Sequence, residues 1–173
     1  MKITTERLLL REYTEADLPV ALSMFTSEMT MRFWPKPFDE DQVKGWIERN
    51  LHHYREWGFG RWVVTLKDCG RMIGDCGIVK AVINGKTEND LGYIIDHAYW
   101  EQGYGYEAAK ACLEYGFEVA KLDRLVANMA YDHTASRRVA EKLGMTLETE
   151  FNNARNRDFK TYLYAIHRDN RRV

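Results

Sequence analysis

The chain has 173 residues, 45% apolar and 29% charged, with 25 basic against 26 acidic side chains and a formal net charge of −1. That length suits one domain with a proper core, and the even charge balance argues against a nucleic-acid partner. The opening residues lack a signal peptide's apolar core, no apolar run could span a bilayer, and three cysteines suit free thiols, so the cytoplasm is expected and a membrane is not.

Ile3 to Tyr13, around Leu8-Leu9-Leu10, reads as a first strand. Thr14-Glu15-Ala16-Asp17 then looks like a helix start, with Thr14 as N-cap and Asp17 completing a near capping box. Leu18, Ala21, Leu22 and Phe25 give that helix its buried stripe. Met31 to Phe38 holds two prolines and three aromatics and is expected to be a loop. Asp39 caps a second predicted helix, with Val43, Trp46, Ile47 and Leu51 at helical spacing.

Beyond Trp57-Gly58-Phe59-Gly60 the period changes to that of strands. Arg61 to Leu66 is one, Arg71 to Val79 a second interrupted by Gly74 and Gly77, and Asn84-Gly85 signals a hairpin into a third, Leu91-Gly92-Tyr93-Ile94-Ile95. A glycine inside a strand marks a bulge or a close approach, and Gly92 is read as a bulge. After Glu101-Gln102-Gly103-Tyr104-Gly105-Tyr106 the pattern turns helical, with Ala108, Cys112, Tyr115 and Val119 on one face. Leu125 to Ala130 is a short buried strand. Asp132 to Leu143 is a helix that buries Val139 and Leu143 and stops at Gly144, and Met145 to Phe151 with Phe159 to Ile166 forms a closing hairpin. The tail from His167 to Arg172 reads as a solvated end. The order is β-α-α-β-β-β-α-β-α-β-β, a mixed α/β domain over residues 1–173.

A glycine-rich turn running into a helix N-terminus presents free backbone N–H groups to an anion, so Gly103-Tyr104-Gly105 is a candidate phosphate cradle. Gly103-x-Gly105-x-x-Ala108 also fits the loose dinucleotide fingerprint. The three hairpin-linked strands before it imply antiparallel pairing, which that fold does not use there. Asn84-Gly85-Lys86-Thr87 imitates the end of a phosphate-binding loop but joins two strands and has Lys80 where the motif needs glycine. Cys69, Cys76 and Cys112 lack paired metal-ligand spacing, and no His-Glu-x-x-His or Gly-x-Ser-x-Gly occurs, so neither a metal site nor a hydrolase elbow is expected. Asp132-His133-Thr134-Ala135-Ser136 puts a hydroxyl in the first turn of a helix that follows a strand.

That combination resembles the GCN5-related N-acetyltransferases, and in detail their ribosomal-protein N-terminal acetyltransferase branch. Thr5 to Arg11 looks like the branch's opening strand, Gly70 to Gly74 like its central hairpin, and Leu91 to Ile95 like its fourth strand. Tyr99 to Ala108 is similar to the acetyl-CoA pyrophosphate loop, and Ala135 to Met145 to the second cofactor motif. The resemblance implies a single domain whose mixed sheet of about seven strands is splayed between the fourth and fifth strands and flanked by about four helices. It also implies acetyl-CoA as co-substrate, with Ile94, Ile95, Gln102, Gly103, Tyr104, Gly105, Tyr106, His133 and Ser136 as cofactor-binding residues. Ser136 would protonate the thiolate, Glu88 or Asp90 would take the amine's proton, with Glu88 the catalytic candidate, and a backbone N–H near Ile94 would polarise the thioester. Phe33, Trp34, Phe38, Trp57 and Phe59 fall near the implied acceptor cleft.

Three departures stand out. Trp100 occupies the place where the superfamily starts its loop motif with Arg or Gln, His133 replaces the branch's usual Asn, and Arg138, Val139 and Ala140 offer no tyrosine acid. The acceptor implied is a protein N-terminal α-amine. Aminoglycosides, polyamines and amino-acid analogues are alternatives, as is a non-catalytic acetyl-CoA sensor. Relatives often form homodimers, and a strand edge or helix face here is compatible with one.

Overall fold

The computed structural model describes residues 2–170, so Arg171 and Arg172 of the tail lie outside the described residues. In chain order the elements are β1 (Lys2–Thr4), β2 (Leu8–Arg11), α1 (Leu18–Phe25), α2 (Glu40–Trp57), β3 (Arg61–Leu66), β4 (Met72–Ile83), β5 (Lys86–Ile95), α3 (Tyr104–Glu118), β6 (Arg124–Ala130), α4 (Thr134–Lys142), β7 (Thr146–Asn153) and β8 (Phe159–His167). Among the described residues they form one eight-stranded sheet in the order β1-β2-β3-β4-β5-β6-β8-β7. Every neighbouring pair is antiparallel except β5 and β6.

The extra strand comes from Ile3 to Tyr13, which is a hairpin and not one strand. The Thr5 and Leu8 main chains bond at 3.0 Å, and the Thr5 hydroxyl accepts the Leu8 N–H at 2.9 Å. Lys2 to Thr4 then folds back onto Leu9 to Arg11. The expected opening of the sheet therefore falls between β5 and β6.

Local chemistry accounts for most of the boundaries. Thr14 and Asp17 form the capping box, and it opens a 3-10 turn (Glu15–Asp17) ahead of α1. Asp39 accepts the Gln42 N–H at 2.8 Å and starts α2. Asn84 and Gly85, at φ 47° and 78°, make the hairpin turn between β4 and β5. Gly144, at φ 82°, ends α4.

Two apolar layers sandwich the sheet. Leu91 packs with Ala108, Cys112, Leu125 and Ala140 on the face covered by α3 and α4. Ile94 packs with Phe25, Val43, Trp46 and Val63 on the face covered by α1 and α2. Val119, expected in the core, is instead the exposed C-cap of α3. Gly92 is not a bulge, because it pairs in unbroken register with Gly77. The register shifts lie at Val64/Thr65 and Leu147/Thr149.

Candidate active site

The glycine turn forms as β5 leaves the sheet. Asp96 accepts from Ala98 N–H at 3.1 Å to cap a 3-10 turn, and the Trp100 indole donates to the Ile95 carbonyl at 2.8 Å. Trp100 thus anchors the loop to the end of β5. Glu101 (φ 62°) and Gly103 (φ 82°) reverse the chain through the left-handed region, which glycine adopts without strain. Gly103 is the N-cap of α3 and offers no side-chain cap, so the first-turn amides point outward unpaired at the positive end of the helix.

A brace from the other end of the chain holds this turn. Glu107, in the first turn of α3, accepts from the Thr5 hydroxyl at 2.6 Å, the Arg7 N–H at 2.8 Å and Arg7 Nε at 2.7 Å. Arg7 also donates to the Gln102 carbonyl at 2.9 Å and lies 4.4 Å over the Tyr104 ring. The expected residues Ile94, Ile95, Gly103, Tyr104, Gly105, Tyr106 and His133 converge on one cavity of about 380 Å³. Gln102 does not line it; its side chain reaches back to the Ala98 carbonyl at 3.4 Å. At Gly105 a Cβ would sit 3.0 Å from the Tyr93 ring.

Beside the cradle the sheet opens. The single registered pair between β5 and β6 is Asp90 with Val126, and the strands part beyond it. The Asp96 N–H donates to the Ile73 carbonyl, and ladder alternation then turns the Ile94 N–H toward β4. There it supports the Asp75 carboxyl. The N–H groups of Tyr93 and Ile95, one residue to either side of Ile94, are the ones that face the opening.

A second cavity of about 240 Å³ runs through this opening. Strand alternation puts Tyr93 on the α3/α4 face with Leu91, and Asp90 and Gly92 on the α1/α2 face with Ile94. One wall carries Ser136, Val139 and Leu143; the other carries Asp90, Asn128 and Arg61, with Phe33 and Trp34 over them and Asn153, Arg155 and Asn156 at the β7–β8 turn. Of the other aromatics, Phe38 packs on Phe25 and Trp46, Phe59 is in the core, and Trp57 lies under Lys80.

Ser136 is half-buried and within hydrogen-bonding reach of the Tyr93 phenol. Burial pushes that phenol up to about 12, with Ser136 pulling the other way, so it stays protonated at neutral pH. α4 has no tyrosine of its own, and the phenol beside it arrives from β5. His133 caps α4 through Nδ1, which accepts the Ser136 N–H at 3.4 Å. Burial lowers its pKa to about 4 and keeps the ring neutral.

Glu88 and Asp90 share a face of β5 but meet different partners. Arg124 takes both oxygens of Glu88, at 3.1 and 3.2 Å, and also binds Glu148 at 2.7 and 2.8 Å. Glu88 is absent from the cavity wall, and this ion pair is the reason. Asp90 does line the cavity and accepts from the Asn128 side chain at 3.1 Å. Burial raises its pKa, while Arg61 and Asn128 oppose the rise. Of the two carboxylates, Asp90 and not Glu88 therefore lines the cavity.

Among the described residues no three His, Cys, Asp or Glu side chains converge as a metal site would require.

Comparisons with known proteins agree with this geometry. The chain matches the Acetyltransferase (GNAT) domain model over residues 7–146. It is 31% identical over 170 residues to the uncharacterized N-acetyltransferase YnaD of Bacillus subtilis, covering 96% of each chain. The crystal structure of a GNAT-family acetyltransferase from Bacillus anthracis superposes with a TM-score of 0.82 at 29% identity, covering 98% of this chain and 99% of that one. RimL, a ribosomal L7/L12 α-N-protein acetyltransferase solved with coenzyme A, shares the fold at TM-score 0.80 and 20% identity, covering 96% of this chain and 98% of that one. The family match takes in the anion cradle, the opening of the sheet and all of α4, and on that ground the chain belongs to the GNAT acetyltransferases.

Proposed function

We propose that this protein transfers the acetyl group of acetyl-CoA directly to a primary amine, with a protein N-terminal α-amine as acceptor. The observation that carries the reading is the cavity that crosses the sheet, with Ser136 on one wall and Asp90 on the other. Thioester and amine can then meet inside the opening from opposite faces, which suits direct transfer in a ternary complex.

The cradle fits the pyrophosphate. Unpaired first-turn amides and the positive end of α3 attract the anion, and the glycines keep the approach clear. The pantetheine arm would lie between β5 and β6 as a surrogate strand. The Tyr93 or Ile95 N–H polarises the thioester carbonyl and stabilises the tetrahedral oxyanion. Asp90 takes the ammonium proton, directly or through water, and the neutral amine attacks the carbonyl carbon. The C–S bond breaks as the C–N bond is completed; Ser136, backed by Tyr93, gives its proton to the thiolate and recovers one from the attacking nitrogen, which becomes the neutral amide, while Asp90 returns its proton to solvent.

An α-amine, with a free pKa of about 8, needs less help to lose its proton than a lysine near 10.4. The charged groups on the cavity wall also bear on the acceptor: one carboxylate, Asp90, faces two guanidinium groups, Arg61 and Arg155. Polyamines and aminoglycosides carry several ammonium groups and suit such a wall poorly, whereas the amides of Asn153 and Asn156 can pair with a peptide. The likeness to the α-N-protein acetyltransferase RimL points the same way.

The test is a thiol-release assay with acetyl-CoA against peptides, polyamines, aminoglycosides and free amino acids. CoA release with N-terminally free peptides, and none after their α-amine is blocked, is expected. Release with a small amine alone would replace the acceptor, and acetyl-CoA binding with no release for any amine would make the protein a sensor.

A further inference from the structure

Arg61 starts on β3, yet its guanidinium lines a cavity that opens beyond β5. To get there the side chain must cross two strands. Its path runs over a glycine pair: Arg61 is in register with Gly77 on β4, and Gly77 with Gly92 on β5. A Cβ on Gly92 would run into a guanidinium nitrogen of Arg61, and one on Gly77 into the Gly60 carbonyl oxygen and the Arg61 Cα of the strand beside it. Neither glycine has a positive φ, so the backbone alone would accept any residue at either place. What these positions require is room for Arg61 and its strand.

At the end of this track the side chain is 5% exposed. It lies 5.4 Å over the Trp46 ring, and its NH1 is 3.4 Å from Asp75. That contact is long, and Asp75 already accepts from the Tyr13 hydroxyl at 2.9 Å and the Trp46 indole at 2.7 Å. Among the described residues, Arg61 Nε has no hydrogen-bond partner. Its charge offsets the burial of Asp75, and because the guanidinium also lines the cavity it bears on a second carboxylate there. That carboxylate is Asp90, two residues before Gly92 on the same face of β5 and so about 7 Å along the strand.

Other charged groups face Asp90 less directly. Glu88 on the same strand is neutralised by Arg124 of β6, Asp75 on β4 is held as above, and Arg49 of α2 lies on the Trp46 ring at 4.7 Å. His133 is neutral, and Arg155 is exposed at the β7–β8 turn.

We infer that Arg61 is a positioning residue for the transfer: carried over Gly77 and Gly92, it keeps the Asp90 carboxylate charged and turned into the opening where the acceptor ammonium gives up its proton. This rests on Asp90 being the proton acceptor, as proposed above. Without the guanidinium the carboxylate loses a counter-charge that lines the same cavity, so it binds its proton at higher pH.

The experiment is a titration of the Asp90 carboxyl by NMR on ¹³C-aspartate-labelled protein, its resonance identified by loss in Asp90→Asn. Beside it, kcat/KM is followed against pH with a short alanine-initiated peptide. Arg61→Gln should raise the Asp90 midpoint by about one pH unit or more, and move the acid limb of kcat/KM upward with it. Arg61→Lys should restore both nearly to wild type. Gly92→Ala, which pushes the guanidinium aside and leaves its charge, should shift both in the same direction by less, and it serves if Arg61→Gln does not fold. A structural defect would instead lower activity equally at all pH. An unmoved NMR midpoint in Arg61→Gln and Gly92→Ala overturns the role of Arg61 alone. A moved midpoint with an unmoved acid limb overturns Asp90 as proton acceptor, and the part of Arg61 in the reaction with it.

Discussion

The phenyl ring of Phe33 lies flat on the imidazole of His133, with centroids 3.6 Å apart and planes within 10°. The pair joins the loop after α1 to the start of α4 across the opening of the sheet, and both rings line both cavities. The Asn156 side chain, donating to the Phe33 carbonyl at 3.1 Å, ties the β7–β8 turn to the same point. Phe33→Ala removes the stack, which is worth about 1 kcal/mol for an aromatic pair. It should also let the cofactor arm leave more freely. Calorimetric titration should show acetyl-CoA binding weakened several-fold, with a small drop in thermal stability.

His133 gives the fold a pH dependence of its own. Its folded pKa of about 4 lies below the ordinary imidazole value of about 6.5, so between these values the unfolded chain binds a proton that the folded chain refuses. The stability from keeping the ring neutral is full above about pH 6.5, declines as pH falls, and is gone by about 4, a span of about 3 kcal/mol at most. His133→Asn keeps an N-cap acceptor without the titration. Melting temperatures between pH 7 and 4.5 should therefore fall less steeply in His133→Asn than in wild type.

How much of this was legible depended on how far each residue's partner lay along the chain. The cradle was readable because Gly103, Gly105 and the helix they start are neighbours, as are Asn84 and Gly85 in their turn. The β1–β2 hairpin was not, because its turn has neither glycine nor proline and is gripped by Glu107, 100 residues beyond Arg7. Gly92 looked like a bulge because a strand glycine has two meanings. The second, close approach, needed Arg61 from two strands away. Glu88 and Asp90 are equivalent in pattern, and the arginine on β6 that claims one of them decides which is left in the cavity.

That distinction can be measured. Glu88→Gln breaks the partly buried fork to Arg124 and should lower stability by about 1 kcal/mol while leaving kcat close to wild type. Asp90→Asn should fold normally, since Asn128 can still pair with an amide, and lose about 100-fold or more in kcat/KM, the usual worth of a general base. Chemical denaturation and peptide kinetics on the two variants separate the roles. Equal kinetic losses would return Glu88 to the reaction.

The brace under the cradle yields a prediction about affinity. Glu107→Gln keeps the size of the side chain but removes the charge that holds the Thr5 hydroxyl and both Arg7 donors. Gly103 and its neighbours would then keep, besides the loop's own bonds, only the contacts of a less firmly held Arg7 with the Gln102 carbonyl and the Tyr104 ring. Acetyl-CoA should bind several-fold more weakly, whereas kcat at saturating acetyl-CoA should change little because nothing in the opening between β5 and β6 is altered. An unchanged dissociation constant would mean that the loop holds its shape without β1 and β2.

Ser136 and Tyr93 bear on the last proton transfer. Neither contributes to the amides of the cradle, so Ser136→Ala should lower kcat by about tenfold or more with acetyl-CoA affinity nearly unchanged. Tyr93→Phe keeps the ring that packs on Gly105 and removes only the hydroxyl. If the phenol works through Ser136, its loss matters only while Ser136 is present, and the double variant should be little slower than Ser136→Ala alone. Additive losses would mean that the two hydroxyls act separately, and wild-type turnover in Ser136→Ala would remove Ser136 from the chemistry.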